Sequence, residues 1–291
     1  MWSAATHQLL QLACDEDLGP RGDITSILLP GGAAPVAARV AARQPGVVCG
    51  LALAPSILDV FAQRLSTAFS FAATHKDGDA VQPGDCVATV SGPRAHVLAA
   101  ERTLLNFLAR LSGIATLTRR YVRAAHAANP LVQVLDTRKT VPGWRELDKY
   151  AVRCGGGHNH RHGLHDAVLI KDNHLAGIPV EHLAATLTQW LARVPRPVSF
   201  VEVEVDNLAQ LAEVCRVPGV DMVLLDNFTP DQMRAAVAQR DAQGLRGKLA
   251  LEASGGVSLD NIAAIAATGV ERISVGALTQ TARGLDFALD L

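Results

Sequence analysis

Residues 200–227 read FVEVEVDNLAQLAEVCRVPGVDMVLLDN. Two short apolar runs, 200–205 and 222–225, flank a stretch near 207–215 whose apolar residues recur at helical spacing, and each run ends in Asp-Asn. That is one β-α-β unit, with both strands pointing the same way. The rhythm continues on either side. Further strands are expected at 132–135, 168–170, 249–251 and 273–275, with helices near 144–153, 181–192, 230–243 and 258–267. Repeated units of this kind build a parallel sheet, either open and doubly wound or closed into a barrel. The strand ends decide between the two. A doubly wound sheet concentrates its chemistry at one switch point, whereas a barrel collects it from the C-terminal ends of many strands. Here nearly every strand ends in polar residues or glycine: Asp136-Thr137-Arg138-Lys139, Lys171-Asp172-Asn173-His174, Asp206-Asn207, Asp226-Asn227, Glu252-Ala253-Ser254-Gly255-Gly256, and Gly276. The pattern predicts an α/β fold with a parallel barrel. Its six units occupy about 145 residues against roughly 250 for eight, so the barrel is incomplete, with six or seven strands.

The first 112 residues read differently. An amphipathic helix over 1–17 ends in the turn-rich DLGPRGDIT at 17–25. Short β-prone runs at 36–40, 46–49 and 86–90 then alternate with Asp77-Gly78-Asp79 and Pro83-Gly84-Asp85 turn signals around a helix near 54–65, which describes a small α+β domain. Helical spacing through 94–126 is interrupted at Ser112-Gly113. The domain junction is expected there, dividing the chain into 1–112 and 113–291, with a C-terminal helix that could return to the first domain.

Composition narrows the function classes. With 27 Lys and Arg against 28 Asp and Glu, the formal charge is −1, and nothing global attracts nucleic acid or an anionic membrane. The chain is 49% hydrophobic and 19% charged, and no apolar run approaches the roughly 18 residues of a membrane span. Five scattered cysteines without a C-x-x-C pair fit reduced thiols, and Asp15, Glu16 and Asp17 leave no signal-peptide pattern, so a cytoplasmic location is expected.

Any anion site must therefore be built locally, and the strand ends supply one. Arg138, Lys139, Arg161 and Lys171 fall in or beside strand-end loops, with His158, His160, His162 and His165 around Arg161. Four cations at one rim suit carboxylates and phosphates. Glu202 and Glu204 stand two apart in one strand and share a face. A carboxylate inside a small barrel must be paired or bound to a ligand, and either a structural ion pair or a ligand role meets that need. Asp226, at the end of the next strand, joins them at the mouth, and acids on adjacent strands suit ribose hydroxyls or Mg²⁺ held with its waters. Ser254-Gly255-Gly256 and Gly276 end the last two strands, where barrels commonly bind phosphate. A histidine-ligated zinc is disfavoured by Arg161 and Lys171 and by the lack of an H-E-x-x-H pattern. A Schiff-base role for Lys171 is disfavoured by the other cations beside it.

The strings DTRKTVPGWRELDKYAV, GGGHNHRHGLHDAVLIKDNH, VEVEVDNL, LLDNF, LEASGGV and SVGALT resemble the quinolinate phosphoribosyltransferase family, the decarboxylating nicotinate-nucleotide pyrophosphorylases. DEDLGPRGDIT and ERTLLNFLARLSGIAT are similar to it as well, so the resemblance covers essentially the whole chain. It implies an N-terminal α+β open-sheet domain, an incomplete barrel, and a homodimer in which each N-terminal domain covers the partner's barrel mouth. The implied reaction joins quinolinate to phosphoribosyl pyrophosphate, releasing CO₂ and pyrophosphate and leaving nicotinate mononucleotide for NAD biosynthesis. By resemblance, Thr137, Arg138, Lys139, His160, Arg161 and Lys171 hold the dicarboxylate and the pyrophosphate, and Arg102 reaches into the neighbouring subunit's site. Glu204 and Asp226 contact the ribose and Mg²⁺, Lys139 and Lys171 join them as catalytic groups, and Ser254, Gly255, Gly256, Ser274, Val275 and Gly276 hold phosphate. Glu204 fits the spacing to Asp226 better than Glu202 does. His162 and His165 are not carried over. Two rivals are a molybdenum-operon homologue of the same family acting on another substrate and a catalytically silent phosphosugar-binding protein.

Overall fold

The computed structural model describes residues 2–291. Two compact units emerge: one holds residues up to Arg119 with Thr140–Gly156 and Leu278–Leu291, and the other holds Arg120–Lys139 with Gly157–Ala277.

The first unit is built on an antiparallel sheet. Its strands are β1 (Pro35–Ala42), β3 (Ser70–Ala73), β5 (Cys86–Pro93) and β12 (Phe287–Asp290), in the order β12-β1-β5-β3, while β2 (Gly46–Val47) pairs with β4 (Ala80–Val81). The returning C-terminal element is thus a strand, in register with β1 from Arg39↔Asp290 to Ala42↔Phe287, rather than the expected helix. Helices α1 (Ala4–Leu18) and α2 (Ala54–Leu65) pack against each other, and α2 buries Ile57, Leu58 and Phe61. Helix α3 (Arg94–His126) is continuous for 33 residues, straight through Ser112-Gly113. The expected break is instead a packing site. Ser112 Oγ donates to the Cys49 carbonyl and accepts the Cys49 N–H, and a Cβ on Gly113 would lie 2.1 Å from the Arg283 carbonyl oxygen. The small residues are there to let backbone approach the helix, and the helix does not stop for them.

Residues 140–156 carry helix α4 (Arg145–Cys154) into this same unit. Asp148 on α4 is fully buried and accepts from Nε and Nη2 of Arg110 on α3 at 2.9–3.2 Å. Trp144 stacks on Phe107 with ring centroids 4.6 Å apart.

The second unit is the parallel sheet. Strands β6 (Gln133–Leu135), β7 (Val168–Ile170), β8 (Val201–Val205), β9 (Met222–Asp226), β10 (Ala250–Ser254) and β11 (Arg272–Ser274) run in the order β6-β11-β10-β9-β8-β7. All five pairings are parallel. Six strands form an incomplete barrel, open between β6 and β7, with His158 adding a single parallel bridge to Leu135. The connecting helices start where their caps dictate. Asn207 accepts the Gln210 N–H, and Thr229 and Gln232 form a reciprocal capping box ahead of Pro230. Buried Val201, Val203 and Val205 supply the outward face of β8, each contributing about 1.5–3 kcal/mol. Their alternates, Glu202 and Glu204, point into the barrel.

Gly113→Ala tests the packing reading of α3. In an open helix this change is favourable by up to about 1 kcal/mol. Here the new methyl must displace backbone, so the variant is expected to lose about 1–3 kcal/mol or more in urea unfolding; an unchanged or higher midpoint would contradict the close approach.

Candidate active site

At the C-terminal ends of the barrel strands lies a cavity of about 570 Å³, lined from every strand of the sheet. From the loop after β6 come Thr137, Arg138 and Lys139, and from the segment bridged to β6 come His160 and Arg161. Lys171 and Asp172 follow β7, Glu204 lies on β8, Asp226 ends β9 with Asn227 after it, Glu252 and Ser254 lie on β10 with Gly255 and Gly256 after it, and Ser274 ends β11. Twelve sequence-predicted residues thus converge on one cavity. Val275 and Gly276 follow Ser274 without lining it, and Arg102 is exposed on α3 in the first unit. His158, His162 and His165 are exposed and also outside the lining.

Asp136 fixes the cation-bearing segment. It is fully buried at the end of β6, where one carboxylate oxygen accepts the His160 N–H at 2.9 Å and the other accepts the Asn159 amide at 2.5 Å. Arg161 follows at once, its N–H donating to His160 Nδ1 at 2.8 Å. Burial and the charge of Arg138 hold the Arg161 guanidinium below its usual range, which registers the local excess of positive charge.

The two glutamates of β8 divide their work. Glu204 receives the Lys171 ammonium at 2.9 Å. Beside it, burial and the Glu204 carboxylate raise the Asp226 carboxyl above its usual range. Glu202 lies deeper, fully buried, with His160 Nε2 2.9 Å from its Oε2 and 3.4 Å from Glu252 Oε1. Arg272 closes the far side, donating to Glu252 Oε2 at 2.8 Å. Burial opposes a charged ring at His160, but the two carboxylates outweigh it and push the imidazole up to about 9. The Glu202 carboxyl is itself raised by burial and by Glu252. Because Nδ1 accepts the Arg161 N–H, the ring's own proton lies on Nε2 toward the carboxylates, and the additional proton belongs to the coupled His160–Glu202 pair, whose carboxyl is itself raised. With it, one guanidinium, one proton and two carboxylates sum to zero inside the barrel.

A third feature is the loop after β10. Gly255 and Gly256 both adopt left-handed φ, +91° and +59°. A Cβ on Gly255 would lie 2.1 Å from Asn227 Oδ1, so only glycine fits there. Asn227, also at positive φ, donates its backbone N–H to the Ser254 carbonyl and its side-chain amide to Asp226 at 2.7 Å. Glu252 and Asn227 thus carry roles that the sequence pattern did not assign. Each stood in a strand-end string, but only three-dimensional proximity shows one bound to His160 and the other locking the glycine loop.

A cation rim, two acids and a glycine loop thus share one cavity, and comparison with known proteins identifies the family. Residues 23–112 match the N-terminal domain model of quinolinate phosphoribosyl transferase, and residues 114–290 match its C-terminal domain model. The chain belongs to the quinolinate phosphoribosyltransferase family. It is 42% identical over 292 residues to the nicotinate-nucleotide pyrophosphorylase [carboxylating] of Mycobacterium leprae, covering 99% of this chain and 97% of that protein. A probable enzyme of the same name from Methanothermobacter thermautotrophicus is 39% identical, with 92% and 93% covered. The crystal structure of NadC from Streptococcus pyogenes superposes with a TM-score of 0.86 at 34% identity, covering 98% of this chain and 96% of that one. These relatives span both units, so the family assignment applies to the whole chain. Among the described residues, no helix is long and apolar enough to cross a membrane.

The His160 cluster yields a pH prediction. Folded His160 binds its proton more tightly, at about 9, than its ordinary value of 6.5. This contribution is therefore complete below about pH 6.5 and is lost as pH rises through about 9; it amounts to on the order of 3 kcal/mol. In thermal melts between pH 7 and 10, the wild type should fall in Tm more steeply than His160→Gln. Parallel curves would show that the proton is not held by the fold.

Proposed function

We propose that the protein transfers the phosphoribosyl group of phosphoribosyl pyrophosphate to quinolinate with loss of CO₂, forming nicotinate mononucleotide and pyrophosphate. The observation that carries this reading is the convergence of Arg138, Lys139, His160, Arg161 and Lys171 opposite Glu204, Asp226 and the Ser254–Gly256 loop in one cavity. Cations at the mouth pair with the two ring carboxylates, and the Ser254–Gly256 and Ser274–Gly276 segments take the 5′-phosphate. Glu204 and Asp226 face the ribose.

The chemistry follows from the charges. The pyridine nitrogen attacks C1 of the ribose as the C1–oxygen bond to pyrophosphate breaks, building positive charge on the sugar and negative charge on the leaving group. Glu204 and Asp226 stabilise the first, while Lys139 and Lys171 stabilise the second. The bond from C2 to its carboxylate then breaks, and its electron pair stays at C2, beside a ring nitrogen made cationic by ribosylation, until C2 takes a proton from solvent. The substrate supplies its own electron sink, which is why no organic cofactor is needed. Glu204 and Asp226 also fit Mg²⁺: two carboxylates stand together, with the charge of one raising the other's pKa. Bound there with its waters, Mg²⁺ would neutralise pyrophosphate charge. A silent phosphosugar-binding protein has no use for the full cation array at the pyridine end.

The assembly that fits this reading is a cytoplasmic homodimer in which the N-terminal domain, residues 1–112, covers the partner's barrel mouth in 113–291 and contributes Arg102. The exposure of Arg102 on α3, outside the cavity lining, supports that role.

Purified protein should consume quinolinate only when phosphoribosyl pyrophosphate and Mg²⁺ are both present. Nicotinate should be a poor substrate, because a site built for two carboxylates leaves a buried cation unpaired when one is missing. Equal turnover of the two acids would sink the reading.

Mixed dimers test the shared site. Arg102→Ala and Lys171→Ala parents should each be nearly inactive, and co-folding them makes about half the dimers hybrid. One site in each hybrid then carries both cations, so activity should recover to about a quarter of wild type. No recovery would mean that Arg102 serves its own barrel.

A further inference from the structure

The His160 cluster begins in a row of side chains set back from the cavity. Gln133 on β6, Arg272 on β11 and Glu252 on β10 are Cα partners across three neighbouring parallel strands. Partners in register project from the same face of a sheet, so the three side chains stand side by side. Arg272 binds both neighbours. Its Nε donates to Glu252 Oε2 at 2.8 Å, and its Nη1 donates to Gln133 Oε1 at 3.1 Å. A planar guanidinium held on two edges has little freedom to turn. Its grip on Oε2 fixes the plane of the Glu252 carboxylate, and with it the place of Oε1.

That oxygen passes the constraint to His160. The ring nitrogen Nε2 stands 3.4 Å from Glu252 Oε1 and 2.9 Å from Glu202 Oε2, so the imidazole is clamped between β10 and β8. Phe200 meets the ring edge to face, with centroids 5.3 Å apart, and Asp136 accepts the His160 backbone N–H at 2.9 Å. The other ring nitrogen, Nδ1, accepts the backbone N–H of Arg161 at 2.8 Å. Turning the ring would break that bond, so the orientation of the imidazole and the position of the Arg161 backbone change together.

Gln133 and Arg272 lie outside the cavity lining, whereas Glu252, His160 and Arg161 are part of it. The contacts therefore lead from two residues behind the wall to two that form its cationic side. The acids of the same cavity have separate supports. Lys171 donates to Glu204 at 2.9 Å, and the Asn227 amide donates to Asp226 at 2.7 Å. A disturbance at Arg272 travels toward Arg161 and bypasses both of these bonds.

We propose that Arg272 is a positioning residue for recognition of the dicarboxylate: braced by Gln133 it fixes Glu252, Glu252 and Glu202 fix the His160 ring, and the ring fixes Arg161 at the cavity wall. This rests on the reading that His160 and Arg161 hold the dicarboxylate. Arg272 touches no substrate and takes part in no bond-making step. Its effect is on how well the acid is held, because a cation displaced from its place meets a rigid dicarboxylate poorly. Charge alone is not sufficient for this role. A lysine ammonium would neutralise Glu252 from one point, but it lacks the planar fork that reaches Gln133 at the same time.

Steady-state kinetics of the full-length protein test the role. In Arg272→Lys, KM for quinolinate should rise about tenfold, while kcat and KM for phosphoribosyl pyrophosphate stay within about twofold of wild type. The double variant Arg272→Gln with Glu252→Gln removes both charges together, leaves no ion of that pair unpartnered, and should show the same split. Arg161→Lys should raise KM for quinolinate by itself. Adding Arg272→Lys to it should then change that KM by no more than about twofold, because residues on one route are not additive. Arg240→Lys is the structural comparison: Arg240 is buried in the same unit, outside the cavity lining, on Asp241, Glu271 and the Leu249 carbonyl. It should lower Tm and leave both KM values unchanged. An unaltered KM for quinolinate in the Arg272 variants, equal rises in both KM values, multiplicative effects of the Arg161 and Arg272 changes, or the same split in Arg240→Lys would each overturn the role. A wild-type protein that does not turn over quinolinate would instead remove the underlying reading, and the positioning role with it.

Discussion

Three carboxylates, Glu202, Glu204 and Glu252, lie inside a six-stranded parallel sheet, and neutralising them dictates where the cations go. Leaving a charge unpaired in that interior is too costly for a fold to tolerate. Arg272 and the shared His160 proton satisfy the inner pair, and Lys171 satisfies Glu204 at the mouth. Asp226 then sees a carboxylate that already has its partner, and its own carboxyl is raised. The inner cluster is closed and the outer one is left open on its acidic side. That asymmetry separates structure from chemistry along a single strand, since Glu202 and Glu204 differ by one turn of the pleat.

The same economy governs the cationic side. Burial disfavours the charge of Arg161, and the neighbouring Arg138 adds to that cost. Asp136 holds the backbone of this segment in place through His160 N–H and the Asn159 amide, which fixes its geometry. A cationic rim preorganised in this way would favour a ligand with two carboxylates in fixed relation.

Much of this was legible in the sequence because the barrel is local. Each strand, its polar end and its helix lie within about 30 residues, so periodicity and strand-end residues could place Arg138, Lys171, Glu204, Asp226 and Gly255 on one rim without knowledge of the strand order. What was illegible depended on distant pairings. Ser112-Gly113 carries the signal of a helix break, and only the approach of Arg283, 170 positions later, turns it into a packing site. Residues 140–156 look like one more barrel helix, yet the buried Arg110–Asp148 pair assigns them to the first unit. Strand β3 is hidden in the sequence because SFAA alternates weakly and buries little. Glu252 reads as a strand-end residue in the sequence, but its approach to His160 is invisible there, since contact across a barrel leaves no trace in spacing.

Glycine shows how the two kinds of information meet. The chain has 24 glycines, and most serve turns that any loop requires. Gly113 and Gly255 are different: both lie 2.1 Å from a polar oxygen at the position a Cβ would take. At Gly113 the excluded volume admits a backbone carbonyl to the side of a long helix and so serves packing. At Gly255 it admits the Asn227 side chain, which donates to Asp226. The missing methyl group therefore acts on the site twice, by shaping the glycine loop that lines the cavity and by orienting an acid on the neighbouring strand. Sequence alone reports the glycine; the physical reason for it lies with the residue across the strand gap.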